Sequence, residues 1–128
     1  MEQSHALAAY FAGKPAQLTL YRALEARILA ACESVRVDVQ ASQITFRCPR
    51  VFACASLPLR RGRDWPRECL LVTLGLAYRL DSPRVAVATQ PYPGRWTIHL
   101  PVARVEEIDD ELLAWVREAY DFARAKRR

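Results

Sequence analysis

The sequence predicts an α+β fold, in which two N-terminal helices and one C-terminal helix pack on one face of an antiparallel meander of about five strands. Apolar residues recur at helical spacing before residue 33 and after residue 107. Between them lie short apolar or alternating segments separated by proline, glycine, aspartate and serine, the pattern of strands and turns. Because 128 residues suffice to bury one core, we expect a single domain over residues 1–128.

The N-terminal part predicts two helices. Residues 4–11 form a short alanine-rich segment that ends at the turn-forming residues 13–15. Pro15 suits the first turn of the second helix. The backbone N–H groups of a first turn have no acceptor within the helix, so proline, which lacks this N–H, loses no hydrogen bond there. The second helix has one apolar face that we expect to pack on the sheet, formed by Leu20, Leu24, Ile28 and Cys32.

Residues 43–57 predict a β-hairpin at the centre of the sheet, because two apolar runs flank a Pro-Arg pair. A hairpin centred on Pro49 would place Phe46 opposite Phe52, with the large apolar side chains on one face. On the other face this register places Thr45, Arg47 and Ala53.

Further strands are expected at residues 69–78, 85–89 and 96–102, where apolar or alternating residues are bounded by turn-forming ones. Residues 35–39 alternate in the same way and form either a strand or the lead-in to the hairpin. Gly75 interrupts the most apolar of these strands and marks a bulge or a close approach of another group. The final helix begins after Asp109, a residue that caps helices well. Its apolar face comprises Ile108, Leu112, Val116, Ala119, Tyr120 and Ala123.

Several classes of protein do not fit this sequence. It has no apolar run long enough to span a membrane and no secretory signal, so we expect a soluble, cytoplasmic protein without a membrane partner. Its four cysteines form no CxxC pair, so we expect reduced thiols. Two histidines and scattered thiols fall short of a zinc pattern, and no nucleophile motif or glycine-rich loop is present. We therefore assign no metal, no cofactor and no catalytic residue.

Positive charge is concentrated in the middle of the chain. Ten arginines and three carboxylates lie between Arg47 and Arg104, which gives this part a formal charge of +7 within a total of +5. Arginine accounts for 17 of the 19 basic residues, which suits contacts with phosphate or carboxylate, although a codon bias toward arginine gives the same count.

The strand at residues 95–99 offers the clearest candidate site. On a regular strand Arg95, Thr97 and His99 share one face, while the apolar residues between them face the core. Arg84 and Tyr92 precede this strand in the sequence. Together the five residues form a candidate ligand-binding set for an anion: Arg84, Tyr92, Arg95, Thr97 and His99.

A second candidate set is suited to nucleic acid, because arginines and aromatic residues lie together on turns and loops. It comprises Arg47, Arg50, Arg60, Arg61 and Arg63.

These sets leave three functions open. The first is a non-catalytic binding module for an anionic partner such as nucleic acid. The second is an enzyme or small-ligand-binding protein that uses His99 with Arg95 and Arg84. The third is a homo-oligomer that buries the outer face of the sheet.

Six segments in order along the chain resemble a bacterial domain-of-unknown-function family, numbered 5655. They are FAGKP (residues 11–15), QITF (43–46), VFACASLP (51–58), SPR (82–84), RWTIH (95–99) and EIDDELLAWVREAYDFA (107–123). The resemblance implies a standalone α+β domain and brings no established activity or cofactor. It also implies a lysine before QITF and a second histidine before His99, whereas this chain has Ala41 or Ser42 and Ile98 there. This member would lack part of any site that those groups form.

Overall fold

The computed structural model of the chain describes residues 2–58 and 65–125. It confirms the three predicted helices and adds a short 3-10 turn, Val105–Glu107, before the last of them. The helices are α1 (Glu2–Tyr10), α2 (Pro15–Ala31) and α3 (Asp110–Ala125). As predicted, the Asp109 carboxylate caps α3, because its Oδ1 accepts a hydrogen bond of 3.0 Å from the Leu112 N–H.

The α+β fold is confirmed, with six antiparallel strands rather than about five. They are β1 (Arg36–Val39), β2 (Ile44–Arg47), β3 (Val51–Ser56), β4 (Leu70–Leu76), β5 (Val87–Tyr92) and β6 (Arg95–Val102). Helix α3 packs across β3 and β4, α2 contacts β4 and α3, and α1 contacts β1. The helices thus cover one face of the sheet, and we call the opposite side the open face.

The predicted meander is wrong for the last three strands. The order across the sheet is β1-β2-β3-β4-β6-β5, so β6 pairs with β4 while β5 forms an edge. The apolar side chains of β6 explain this order, because Ile98, Leu100 and Val102 are almost fully buried in the interior of the sheet. Strand β5 is mostly exposed and contains Pro91, which has no N–H to donate and is tolerated at an edge.

The central hairpin forms, but its predicted register is wrong. Phe46 lies opposite Ala53 and Arg47 lies opposite Val51, so Phe52 is the extra residue of a β-bulge. Both phenylalanines are buried as expected, because the bulge turns Phe52 toward the helices. Ala53 therefore faces the helices, contrary to the prediction.

Aromatic pairs join the hairpin to two helices. Phe46 stacks on Tyr21 of α2 with ring centroids 6.2 Å apart, and Phe52 meets Tyr120 of α3 edge-on at 5.3 Å. The α2 residues predicted to face the sheet are buried, as are those predicted for α3. Arg27 ties α2 to the start of α3, since it donates to the Ile108 carbonyl at 3.0 Å and to Asp110 Oδ1 at 2.8 Å.

The four cysteines are free thiols; Cys32 and Cys69 are buried, and Cys48 and Cys54 are partly exposed. None of the helices in the described part of the chain is both long and apolar enough to cross a membrane.

Candidate functional site

A row of four polar residues crosses the middle of the open face. Thr45 lies opposite Cys54 in the strand register, Cys54 lies opposite Thr73, and Thr73 lies opposite His99. Residues paired in this way have their Cβ atoms about 4.5–5.5 Å apart on the same face. We call Thr45, Cys54, Thr73 and His99 the polar row.

One end of the polar row is internally paired. The Thr73 Oγ1 and His99 Nδ1 atoms are 3.0 Å apart, so one of the two groups donates a hydrogen bond to the other. Burial lowers the pKa of His99 from its ordinary value of 6.5, which keeps the imidazole neutral at pH 7. At neutral pH His99 is therefore a hydrogen-bonding group rather than a positive charge.

The other end of the polar row is unpaired. Thr45 is only 2% exposed, and its hydroxyl has no hydrogen-bond partner in the described part of the chain. A buried polar group left in this state costs about 1–3 kcal/mol. The fold itself gains nothing from this hydroxyl, because valine has the same shape without the polar atom.

Arg95 lies flat over the middle of the sheet. A Cβ atom on Gly75 would come within 2.6 Å of Nη2 of Arg95, so the guanidinium group occupies the space that a side chain on β4 would take. Gly75 therefore marks a close approach, one of the two alternatives that the sequence offered. Nε of Arg95 is buried without a hydrogen-bond partner. No carboxylate among residues 2–58 and 65–125 pairs with this arginine.

Arg47 reaches the same area from β2. Its Nε is 3.2 Å from Asp38 Oδ2, which makes an ion pair, but the angle is not that of a hydrogen bond and the Nε donor is unsatisfied. Asp38 also pairs with Arg36, at 3.4 Å. One carboxylate therefore serves two arginines at this edge of the open face.

Cys54 lies between the two arginines. Burial raises the pKa of its thiol, and Arg95 and Arg47, both close enough to interact electrostatically, offset this only in part. At neutral pH the thiol is thus protonated, and it supplies no negative charge to balance the guanidinium groups.

Four of the five predicted ligand-binding residues lie together on the open face. Tyr92 lies opposite Arg95 on β5, and its side chain is 47% exposed. Thr97 lies opposite Gly75, and His99 ends the polar row. Binding by these residues stays a prediction.

Arg84 is placed elsewhere. Its Nη1 is 3.0 Å from both Asp109 Oδ1 and Glu111 Oε1, and its Nη2 donates to the Glu107 carbonyl. These partners belong to the start of α3, in the helix layer, whereas His99 faces the other side of the sheet. Arg84 therefore holds the β4–β5 connection against α3 and does not join His99 and Arg95.

Of the predicted nucleic-acid set, Arg47 is on the open face and Arg50 is exposed in the β2–β3 turn. Arg60, Arg61 and Arg63 lie outside the described residues. No cluster of histidine, cysteine, aspartate and glutamate suited to a metal ion occurs among the residues that are described.

Sequence reasoning missed Cys54 and the unpaired hydroxyl of Thr45. A regular hairpin turns Cys54 toward the helices, and the bulge at Phe52 turns it outward. Thr45 was predicted on the correct face, but a sequence pattern does not reveal whether a hydroxyl has a partner.

A family model for a domain of unknown function, DUF5655, matches residues 7–123, which is most of the chain. The chain belongs to the DUF5655 family. No curated protein and no solved structure matches this DUF5655 domain. The positions at which the resemblance implied a lysine and a second histidine lie off the open face: Ala41 and Ser42 are in the exposed β1–β2 turn, and Ile98 is fully buried in the core.

Proposed function

We propose that this DUF5655 domain is a non-catalytic binding module whose open face holds an anionic partner. The observation that carries the proposal is the state of Arg95, which lies over the centre of the sheet with a buried, unsatisfied Nε. A cation in this position needs a counter-charge, and no carboxylate in the described part of the chain forms an ion pair with it.

The distribution of carboxylates supports this proposal. Asp109 and Glu111 neutralise Arg84, and Asp110 neutralises Arg27, all at the start of α3. The acidic C-terminal region thus balances arginines of the helix layer and leaves Arg95 uncompensated. A charge-assisted hydrogen bond from an external anion would satisfy this group and would contribute about 1.5–3 kcal/mol.

A binding role is better supported than catalysis by His99 with Arg95 and Arg84. Arg84 is engaged by two carboxylates and a backbone carbonyl on the far side of the sheet. His99 is neutral at pH 7 and is paired with Thr73, so the three residues form no common acid-base unit.

Nucleic acid is the polyanion that the surrounding residues suit best. Tyr92 is half-exposed beside Arg95 at the β5 edge, where its ring offers a stacking surface next to a cation. Arg47 and Arg50 extend the positive surface along the β2–β3 hairpin.

The test is fluorescence anisotropy with a labelled single-stranded oligonucleotide and with labelled polyglutamate, at low and at increasing ionic strength. Arg95→Gln removes one charge from the open face. The matched control, Arg22→Gln, removes one charge from an exposed position on α2. We expect Arg95→Gln to weaken binding of at least one polyanion about tenfold and to reduce the slope against log salt by about one, with little change for Arg22→Gln.

Two results would contradict the proposal. One is the absence of binding of either polyanion at low ionic strength. The other is an equal loss in the two variants, which would indicate an effect of net charge alone. Sedimentation velocity of the same samples tests the expectation of a homo-oligomer, and a stable dimer that excludes Arg95 from solvent would also contradict the proposal.

A further inference from the structure

We infer that the open face holds one phosphate group, between Arg47 and Arg95 and above Cys54. This inference rests on the proposed function and narrows the anionic partner to one that carries phosphate. Four groups argue for it: the guanidinium groups of Arg47 and Arg95, the hydroxyl of Thr45 and the thiol of Cys54.

The two arginines approach Cys54 from opposite sides. Arg47 extends from β2 and Arg95 from β6, three strand spacings or about 14 Å apart at the backbone. The side chain of Arg95 covers part of this distance, since its guanidinium group lies over Gly75 of β4. Both cations are close enough to Cys54 of β3 to act on its thiol electrostatically. The positive charge therefore converges on the middle of the sheet.

The groups around this point are mainly donors. Each guanidinium group has five N–H donors and no acceptor, the Thr45 hydroxyl can donate, and the protonated Cys54 thiol is a weak donor. Asp38 lies opposite Thr45 on the edge strand β1, where Arg36 and Arg47 share its carboxylate. A ligand at the centre must therefore supply several acceptors.

The directions of the donors favour a tetrahedral anion. A planar carboxylate is well matched by the fork of a single arginine, whose two N–H groups lie in one plane. Here the guanidinium group of Arg47 approaches the centre from β2, that of Arg95 approaches from β6, and the Thr45 hydroxyl lies beneath them on the same face. The oxygens of phosphate point in different directions and can accept from all three.

The buried atoms indicate which side chains must move for phosphate to bind. Nε of each arginine and Oγ1 of Thr45 are shielded from solvent. A phosphate group therefore reaches these atoms only when the arginine side chains move. As the two side chains rotate outward around the anion, their Nε atoms and the Thr45 hydroxyl become accessible and gain the partner that each lacks.

Two substitutions test this arrangement without removing a charge. Thr45→Val removes the unpaired hydroxyl and keeps the shape of the side chain. Gly75→Ala places a methyl group where the Arg95 guanidinium lies. It leaves the backbone unstrained, because Gly75, unlike Gly13 and Gly94, does not have a positive φ.

The experiment is a titration of the 15N-labelled protein with inorganic phosphate at constant ionic strength, followed by amide chemical shifts. Glycerol phosphate, acetate and a single-stranded oligonucleotide are titrated in parallel, so that free phosphate, a monoester, a carboxylate and a phosphodiester are compared. We expect saturable shifts at Thr45, Cys54 and Thr73 with phosphate or a phosphate ester, and at least tenfold weaker binding of acetate.

Thr45→Val and Gly75→Ala should each weaken phosphate binding about three- to tenfold, while Arg22→Gln leaves it unchanged. In an Arg95→Gln background, Gly75→Ala should have no further effect, because its methyl group acts through that guanidinium. Amide spectra and urea unfolding confirm that each variant is folded.

The possible outcomes separate the two proposals. If acetate or polyglutamate binds at the open face as tightly as every phosphate ligand, the phosphate inference is wrong and the anionic function stands. Unchanged phosphate binding in both Thr45→Val and Gly75→Ala would also overturn the inference. If no anion of any class binds, both proposals fail.

Discussion

The two faces of the sheet are formed by alternate residues of the same strands, yet they differ in how far their groups are satisfied. On the covered face Phe46, Leu74 and Ile98 are at most 1% exposed and are apolar. Their neighbours in sequence on the open face, Thr45, Thr73 and His99, are polar. The apolar side chains of the covered face need no hydrogen-bond partner. The open face keeps an unpaired hydroxyl and two guanidinium nitrogens without hydrogen-bond partners, and the proposed binding role rests on these groups.

The largest expected effect comes from a cavity on the covered face. Phe46→Ala removes a fully buried ring that stacks on Tyr21, so we expect the free energy of unfolding in urea to fall by about 3–5 kcal/mol. Val87→Ala, at a 40% exposed position of the open face, is the comparison and should cost less than about 1 kcal/mol. Similar losses in the two variants would contradict the distinction between the faces.

The stability of the helix layer also depends on the start of α3. Asp109→Ala removes the helix cap and one partner of Arg84, and we expect it to cost about 1–2 kcal/mol in urea unfolding at pH 7. Asp110→Ala is the control, since that side chain is fully exposed, and it should cost at most about 0.5 kcal/mol. An equal cost for the two would show that the cap is unimportant.

The contribution of Asp109 to the stability of the folded state should depend on pH. Partial burial alone would raise the pKa of Asp109, but hydrogen bonds from the Leu112 N–H and from Arg84 outweigh it and hold the pKa below 3.8. The folded state therefore favours the ionised form, so the stabilisation is present above pH 3.8 and is lost as the pH falls through the lowered pKa. The difference in stability between wild type and Asp109→Ala should narrow over that acid range.

Thr45→Val on the open face should stabilise the protein, whereas the substitutions above should destabilise it. In the absence of ligand it should raise the free energy of unfolding by about 1 kcal/mol, because the unsatisfied hydroxyl is removed while the packing is kept. Thr89→Val, at an exposed position of β5, should change stability by less than about 0.5 kcal/mol. A loss of stability in Thr45→Val would mean that the hydroxyl has a partner in solution.

The smallest effect concerns His99. Its pKa is lowered by burial, so the unfolded chain binds a proton more readily than the folded protein does. Stability from the neutral imidazole is present above pH 6.5 and falls as the pH decreases through the lowered pKa. Urea unfolding between pH 7.5 and pH 5 should show a shallower loss for His99→Gln than for wild type. The same loss in the two proteins would indicate that His99 is freely solvated.

The sequence predicted those features that depend on local periodicity. The apolar face of α2, the cap at Asp109 and the shared face of Arg95, Thr97 and His99 all follow from spacing along one helix or strand. The features that it did not predict depend on pairing between strands. Strand β6 displaced β5 from the interior because its side chains bury more apolar area. The partners of Arg84 are set by tertiary packing, which brings the start of α3 beside the β4–β5 connection.

The bulge at Phe52 acts as a phase shift within β3. In a regular strand, residues beyond Phe52 would show Ala53 and Ala55 to a ligand and would bury Cys54 and Ser56. The extra residue inverts this parity while the turn and the preceding residue keep their places. Deleting Phe52 alone would keep the inverted phase and lose the aromatic contact with Tyr120. Transplanting this surface to another antiparallel sheet therefore requires the polar residues to be placed in this phase, either with the extra residue of β3 or with a strand from which that residue is removed.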